Sequence, residues 1–371
     1  MQMLEELGIQ PYINAHDTYT VYGGSRMGRD VLEAMREISE IFVDIYEVQR
    51  ILGNRIAALT KNEGAYITNG AAGGLMLAAA VCMAKGSIFR YKNFPDTGKE
   101  ADEVILLHCQ HNAYDKAIES SGARIVKIGD SDETWDYELE GAISDKTAAV
   151  FYFVSSLYER ASMPLEKVIK IAHEKEIPVV VDAAAQLPPV ENFWKFTGMG
   201  ADLVIFSGGK SLCGPQDSGV ILGRRDLIED CIRFGSPAHG ICRSCKASKE
   251  AMAGLYAAIK AYMEKDQKKE YQRLYSMAVQ AKTELDGVCR IQADVIENGP
   301  VGQTYPRTFL NLPFNISAEK LKDCMRKKHI YIGLEQEHIL YISPLNLKQQ
   351  ELETVITALK SCLLESQEET L

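Results

Sequence analysis

The chain has 371 residues, of which 46% are hydrophobic and 25% charged, which allows a large core and two or three domains. Its net charge of −10 disfavours a nucleic-acid partner, because proteins that hold nucleic acid normally carry a basic excess. The first residues lack the pattern of a signal peptide, and the most apolar stretch, 70–84, is too short for a membrane span. We therefore expect a cytoplasmic protein with no membrane partner.

A helical pattern comes first, followed by alternating strands and helices. Apolar residues recur at helical spacing from Asp30 to about Leu59, which predicts one long or broken helix. The strands that follow are nearly continuous apolar runs, typical of strands buried on both faces. They are predicted at Ala65–Thr68, Val104–Leu107, Arg124–Ile128, Ala148–Val154, Val179–Asp182, Leu203–Ser207 and Ser218–Leu222. This pattern predicts an α/β fold with a mainly parallel, seven-stranded sheet sandwiched by helices.

The pattern changes after Arg225. A long amphipathic helical region from Lys249 to about Asp286 precedes four further strands and two helices, which predicts a smaller α+β domain. We therefore expect an N-terminal arm at 1–28, a large domain at 29–250 and a small C-terminal domain at 251–371.

The nine cysteines are an odd and scattered set, so we expect reduced, mostly buried thiols and no disulfide framework. Cys242 and Cys245 form a CxxC pair, but a structural zinc site needs four ligands and no second pair at similar spacing is present. We expect no metal site.

Three segments at predicted strand ends carry chemistry. Asn69–Gly74 joins a strand to a helix through small residues, which lets backbone amides approach a phosphate. Asp182 ends an apolar strand, at the sheet edge where ligands bind in open α/β folds. Lys210 follows another strand inside a glycine-rich turn, where burial can turn its amine into a nucleophile toward an aldehyde. Taken singly, each segment is also compatible with a packing turn or a helix cap.

The order of these three segments resembles fold type I (aspartate-aminotransferase-like) pyridoxal 5′-phosphate enzymes. Within that fold the chain is similar to the group that includes selenocysteine synthase and D-glucosaminate-6-phosphate ammonia-lyase. The resemblance runs over nearly the full length and rests on Ile13–Ala15, Thr18–Thr20, Gly23–Ser25, Asn69–Gly73, Val181–Pro189, Phe206–Lys210, Gly214–Gln216 and Arg243–Glu250.

The resemblance implies roles for the residues that hold the cofactor, pyridoxal 5′-phosphate. Lys210 would form the Schiff base with it and move protons at the substrate, and Asp182 would pair with the pyridinium nitrogen. Either Gln110 or His111 would cover the ring. The rest of the implied cofactor-binding set is Gly70, Ala71, Ala72, Ala184, Gln186 and Ser207.

Candidate substrate-binding residues follow from charge and from the resemblance. Arg243, Lys246 and Arg307 are candidates for a carboxylate or phosphate, with surface solvation as the alternative. Thr20 and Ser25 would reach the substrate, across a dimer interface if one forms. The chain has His16-Asp17 where the resemblance leads us to expect a glycine. We expect this departure to alter the substrate specificity.

The resemblance implies a carbon–nitrogen lyase that eliminates water and ammonia from a small-molecule 2-amino sugar acid, with D-glucosaminate 6-phosphate as the named candidate. Selenium transfer to seryl-tRNA is the alternative within the group. The net charge and the short stretch before the catalytic region argue against it, since we expect no N-terminal RNA-binding domain. An aminotransferase, a desulfurase and a non-catalytic regulatory protein are further alternatives. The resemblance also implies a homodimer or larger homo-oligomer.

Overall fold

The computed structural model describes residues 2–368, which form two compact units. The larger unit is Arg26–Glu264, and the smaller combines 2–25 with 265–368. The predicted division at 28/29 and 250/251 differs from this grouping in two ways. The N-terminal residues share a unit with the C-terminal ones, and Lys249–Glu264 falls wholly within the larger unit. Met1 and 369–371, which belong to the predicted arm and small domain, lie outside the described residues.

Twelve strands are present in the described part of the chain. They are β1 Ile13–Ala15, β2 Gly64–Thr68, β3 Glu103–Leu107, β4 Arg124–Ile128, β5 Thr147–Phe153, β6 Val179–Asp182, β7 Leu203–Ser207, β8 Gly219–Gly223, β9 Gln292–Ile296, β10 Arg307–Asn311, β11 Ile330–Gln336 and β12 Ile339–Ile342.

The α-helices among the described residues are α1 Gln2–Glu6, α2 Arg29–Ser39, α3 Ile45–Thr60, α4 Gly70–Ala84, α5 Ile88–Asn93, α6 Asp115–Glu119, α7 Asp136–Ala142, α8 Leu165–His173, α9 Asn192–Gly198, α10 Arg225–Phe234, α11 Lys249–Glu264, α12 Gln267–Leu285, α13 Ala318–Lys327 and α14 Gln349–Glu368. Both long helical regions predicted from the sequence are broken. Asp44 caps α3 through the Glu47 amide, and Asp266 caps α12 through the Lys269 amide.

The larger unit is built on a seven-stranded sheet of order β2-β8-β7-β6-β5-β3-β4. Every neighbouring pair is parallel except those of β8, which is antiparallel to both β2 and β7. Alternate residues of the strands enter two separate apolar clusters. One cluster includes side chains of α3, α8, α9 and α11, and the other includes those of α4, α5, α6 and α10. The predicted mainly parallel sheet between two helical layers is therefore confirmed.

The smaller unit has its own five-stranded sheet, of order β1-β11-β12-β10-β9, and its own apolar cluster. Strand β1 pairs in parallel with β11, from Ile13 opposite Ile330 to Ala15 opposite Ile332. This pairing is the physical reason that the N-terminal residues group with the C-terminal ones. Helices α12, α13 and α14 contribute the apolar side chains that cover this sheet.

Two further features bear on the sequence predictions. Cys324 in α13 and Cys362 in α14 form a disulfide, so the expectation that all thiols are reduced was wrong for this pair. The odd cysteine count could not reveal it, since the partners lie 38 residues apart. No helix within residues 2–368 is long and apolar enough to cross a membrane.

Candidate active site

The predicted site residues of the larger unit gather at one edge of its sheet. Strands β2, β3, β5, β6 and β7 point the same way, so their carboxyl ends meet there. These ends carry the Asn69–Gly73 loop, the 108–111 turn, Asp182 and the turn that holds Lys210. In open α/β sheets this edge is where ligands bind.

The Asn69–Gly73 loop begins helix α4 and has the features of an anion cradle. Gly70 has φ +87°, and Asn69, at the N-cap position, makes no side-chain capping bond. The buried Oδ1 of Asn69 has no hydrogen-bond partner among the described residues. The β8 backbone approaches so closely that a Cβ on Gly219 would lie 2.6 Å from the Gly70 carbonyl carbon. The uncapped N-terminus of a 15-residue helix fits a phosphate.

Asp182 is the buried carboxylate of the edge. It is the last residue of β6, is 8% exposed, and accepts a hydrogen bond from the Ala184 amide at 2.8 Å. Burial raises the pKa of Asp182, whereas the Ala184 amide and the charge of Lys210 act in the opposite direction. A buried carboxylate needs a cationic partner to stay ionised, and a protonated ring nitrogen would supply one.

Lys210 lies in a turn that its own backbone holds in shape. The Gly208 amide donates to the Ser218 carbonyl at 2.8 Å, and the Gly214 amide donates to the Gly208 carbonyl at 2.9 Å. The Cys213 amide donates to the Lys210 carbonyl at 2.9 Å. Lys210 is half-buried in this turn, and its charge acts on the carboxylate of Asp182.

Gln110 and His111, the two candidates for covering the ring, have different surroundings. Gln110 is fully buried, its Oε1 accepts from the Phe153 amide at 2.8 Å, and its Nε2 donates to Ser162 Oγ at 3.0 Å. His111 is exposed and bonds through Nδ1 to the carboxylate of Asp115. The Gln110 amide is thus used within the protein, which favours His111 as the ring-covering residue.

The remaining cofactor candidates lie beside Asp182 or on the loop. Gln186 is buried and donates through Nε2 to the Val154 carbonyl at 2.8 Å, joining the ends of β5 and β6. The Ser207 amide donates to the Ala184 carbonyl at 3.3 Å, and both residues are half-buried. On the loop, Gly70 and Ala71 are half-buried and Ala72 is exposed. The edge thus offers a phosphate cradle, a carboxylate and an amine, the donor set that pyridoxal 5′-phosphate requires.

The candidate substrate residues divide between the two units. Arg243 and Lys246 are in the larger unit, both exposed, and neither forms an ion pair within residues 2–368. Thr20 is exposed and Ser25 half-buried in the smaller unit. Arg307, also in the smaller unit, is buried and pairs with Glu335 at 3.0 Å. The structure therefore gives Arg307 an internal carboxylate partner that the sequence did not reveal.

The unusual His16-Asp17 pair is part of a buried polar cluster in the smaller unit. His16 Nδ1 lies 3.1 Å from the Tyr341 hydroxyl, and burial lowers the pKa of His16 to about 4. The Tyr305 hydroxyl donates to Asp17 Oδ2 at 2.6 Å, and burial raises the pKa of Asp17. Sequence reasoning flagged the pair as a departure but could not identify its partners, which are almost 300 or more residues away.

Sequence reasoning missed Asp115 and Tyr158. Asp115 is buried beside His111, and Tyr158 has its pKa raised by burial and by the charges of Asp115 and Asp182. The only available signal was an aspartate four residues after a histidine at a strand end. The CxxC residues are part of an apolar cluster, since Cys242 is buried and Cys245 Sγ lies 3.4 Å from Met76 Sδ.

Two curated relatives align with most of this chain. The 5′-C-glycyluridine monooxygenase-decarboxylase of a Streptomyces species is 29% identical over 97% of this chain and 92% of its own length. The D-glucosaminate-6-phosphate ammonia lyase of Salmonella typhimurium is 32% identical over 70% of this chain and 69% of its own.

A solved structure of D-glucosaminate-6-phosphate ammonia-lyase superimposes with a TM-score of 0.86 at 27% identity, covering 98% of both chains. The predicted fold type I architecture is therefore confirmed. The family model described as "SelA: L-seryl-tRNA selenium transferase" matches residues 25–298. Because this match spans well over half of the sequence, the chain belongs to the SelA family.

Proposed function

We propose that this chain is a pyridoxal 5′-phosphate-dependent carbon–nitrogen lyase that acts on a 2-amino sugar acid. D-glucosaminate 6-phosphate is the first candidate substrate, and the products would be a 2-keto-3-deoxy acid and ammonia. The proposal rests on one observation, the convergence of Lys210, Asp182 and the open start of α4 at a single sheet edge. The similarity to ammonia lyases supports the choice of reaction.

Different residues of the sheet edge would bind different parts of the cofactor. Lys210 would hold it through its amino group, Asp182 would pair with the ring nitrogen, and His111 would cover the ring. The phosphate would be bound by Gly70, Ala71, Ala72 and Ser207, with Ala184 under the ring and Gln186 supporting that turn. When bound, the cofactor withdraws the electrons left at the substrate α-carbon.

Asp182 and Lys210 supply the charge and the proton transfer. An ion pair at about 4 Å is worth about 4 kcal/mol at an effective dielectric of 20, before desolvation, so Asp182 can keep the ring nitrogen protonated. Lys210 would take the proton from the substrate α-carbon and later return it at the β-carbon. The 3-hydroxyl leaves between these two proton transfers, and hydrolysis of the resulting imine gives the keto acid and ammonia.

Arg243 and Lys246 are the proposed contacts for the substrate phosphate or carboxylate, because both are exposed cations without an ion pair in the described chain. Thr20, Ser25 and Arg307 stay proposed substrate contacts. For Arg307 this requires the substrate carboxylate to share the guanidinium with Glu335.

An ammonia-release screen tests the function. Purified protein loaded with the cofactor is incubated with 2-amino sugar acids, with and without a 6-phosphate, and ammonia and keto acid are measured. We expect both products in equal amounts, and neither from Lys210→Ala. Absence of ammonia with every substrate would overturn the proposal.

An O₂-consuming decarboxylation is the second candidate function, favoured by the nearly full-length similarity to the Streptomyces monooxygenase-decarboxylase. Measuring O₂ uptake and CO₂ release alongside ammonia and keto acid separates it from the lyase. The lyase releases ammonia without O₂, whereas the second function consumes O₂ and releases CO₂. Selenium transfer is tested by a salt-sensitive gel shift with tRNA, and turnover of any amino acid excludes a purely regulatory role.

We also propose that the protein is a cytoplasmic homodimer or larger homo-oligomer. Exposed apolar side chains support self-association, since Phe42 is fully exposed and Ile41 and Ile51 are at least half exposed. Light scattering on the purified protein gives the mass directly, and a mass of one chain would contradict the oligomer.

A further inference from the structure

His111 and Asp115 form a pair in the larger unit whose chemistry goes beyond holding the cofactor. We propose that Asp115 is a positioning residue that orients His111 so that its Nε2 delivers a proton to the departing 3-hydroxyl of the substrate. This inference rests on the proposed lyase function and names the group that assists the leaving oxygen.

The pair has the geometry of an oriented imidazole. His111 Nδ1 bonds to Asp115 Oδ2, with side chains 54% and 3% exposed respectively. The carboxylate also accepts from the Asn112 amide at 3.4 Å, through Oδ1. Because a carboxylate only accepts hydrogen bonds, Nδ1 keeps its proton whether the ring is charged or neutral. Nε2 is then the nitrogen that gains and loses a proton.

The turn that carries His111 is held by its own hydrogen bonds. Asn112 Nδ2 donates to the Gln110 carbonyl at 2.9 Å, and the Tyr114 amide donates to Asn112 Oδ1 at 2.8 Å. The Asp115 amide donates to the Asn112 carbonyl at 3.2 Å. A side chain fixed by such contacts can serve as an acid without first being ordered.

The pair lies on the edge that carries Asp182. His111 follows β3, which pairs in parallel with β5, and β5 pairs in parallel with β6, whose last residue is Asp182. Two strand spacings amount to about 10 Å, a distance that a ring and a bound amino acid can span. Tyr158 lies within electrostatic reach of both carboxylates, since the charges of Asp115 and Asp182 both raise its pKa.

The proton transfers balance. Lys210 accepts the proton from C2, the C3–O bond breaks with its electron pair leaving on oxygen, and His111 gives its Nε2 proton to that oxygen. Water departs, and the unsaturated amino acid then takes a proton at C3 from Lys210 and water at C2, which releases ammonia. Solvent restores the proton of His111, and no oxidant or reductant is needed.

Two measurements on the cofactor-loaded protein test the proposal. The first is ¹⁵N NMR of histidine-labelled protein, with His111→Gln used to assign the His111 ring. We expect Nδ1 to be protonated in the wild type and Nε2 to be the nitrogen that titrates, and we expect this preference to be lost in Asp115→Asn. An unprotonated Nδ1 in the wild type overturns the proposal without any variant.

The second measurement separates the two proton transfers. Asp115→Asn should lower kcat for ammonia release by about 10²- to 10⁴-fold, whereas exchange of the substrate α-proton with D₂O should change by less than about threefold. Asp115→Glu should recover part of the ammonia release, and Asp145→Asn, at an exposed aspartate, should match the wild type.

Equal losses of exchange and ammonia release in Asp115→Asn would mean a merely structural role and would overturn the proposal. If the wild type releases no ammonia from any 2-amino sugar acid, the lyase function fails with it, whereas the NMR result still decides whether Asp115 orients His111. The two failures are therefore distinguishable.

Discussion

Two polar regions of the molecule, one in each unit, differ in the partners of their buried polar groups. At the sheet edge of the larger unit, Asn69 Oδ1 is buried without a partner in the described part of the chain, and Asp182 has its pKa raised by burial. In the smaller unit, Asp17 accepts from Tyr305, and Arg307 pairs with Glu335. The first region leaves buried polar groups able to bind a ligand, whereas the polar groups of the second region bond to one another within the protein.

The two histidines show the same contrast. His111 is exposed and bonded through Nδ1 to the carboxylate of Asp115, and its proposed role is proton transfer through Nε2. His16 is buried against the Tyr341 hydroxyl and stays neutral down to about pH 4. Substitutions at the edge should therefore change catalysis, and substitutions in the smaller unit should change stability.

The largest effect is expected from Lys210→Ala. Because Lys210 would both hold the cofactor and move the α-proton, kcat for ammonia release should fall by at least about 10⁴-fold. In the cofactor-free protein the free energy of unfolding should change by less than about 1 kcal/mol, since the side chain is not part of the core. Lys175→Ala, at an exposed lysine of the same unit, is the control. If Lys210→Ala still released substantial ammonia, the sheet edge of the larger unit would not be the catalytic region of the two.

The next effect is confined to the smaller unit. The disulfide closes a loop with a sequence separation of 38, so breaking it with reductant or with Cys324→Ser should lower the free energy of unfolding by about 4 kcal/mol. Urea denaturation with and without dithiothreitol measures this, and Cys289→Ser, at a free thiol, is the control. A reductant-insensitive midpoint would show that the bond does not stabilise this unit.

The sequence predicted the larger unit better than the smaller one, for physical reasons. Strands buried on both faces are continuous apolar runs, so β4, β6 and β7 have the predicted bounds. The three-residue strand β1 was not predicted, because the strand it pairs with among the described residues, β11, lies more than 300 residues away. The helix break near 265–266 was missed and the one near 40–44 was only left open, since a capping aspartate in a charged stretch resembles any surface residue.

The candidate site shows the same limit. The residues at strand ends could be named from the sequence because parallel strands bring their carboxyl ends together. What the sequence left open was which side chains have internal partners. Gln110 is engaged at both ends of its amide, Arg307 pairs with Glu335, and His111 has Asp115. These contacts depend on side-chain packing, on which periodicity carries no information. The roles of the site residues stay predictions until variants are measured.

A smaller stability effect should come from His16 and depend on pH. Its pKa is about 4 in the folded protein against 6.5 ordinarily, so between these values the unfolded chain binds the proton and the folded chain does not. Stability is therefore full above about pH 6.5 and falls by about 3 kcal/mol as pH approaches 4. Urea unfolding from pH 7 to pH 4 should show this loss in the wild type and a loss smaller by that amount in His16→Gln.

The control for this comparison is His239→Gln, which removes an exposed histidine of the other unit and should keep the wild-type pH dependence. Equal pH dependence in His16→Gln and wild type would mean that His16 titrates normally. The polar cluster around His16 and Asp17 would then not be the internally bonded network that distinguishes the smaller unit from the sheet edge of the larger one.

The smallest effect is expected at Arg243, an exposed cation of the larger unit. A charge-assisted contact to a phosphate is worth about 1.5–3 kcal/mol, which corresponds to a rise of at least about tenfold in KM when Arg243→Gln removes it. The rise should appear with a phosphorylated 2-amino sugar acid and not with the unphosphorylated one, while kcat stays within about twofold. Arg55→Gln, at an exposed arginine of the same unit, should change neither. Equal rises for both substrates would assign Arg243 to the carboxylate, because that is the anionic group common to the two. No rise for either would remove Arg243 from the substrate site and leave Lys246 as the phosphate contact to be tested in the same way.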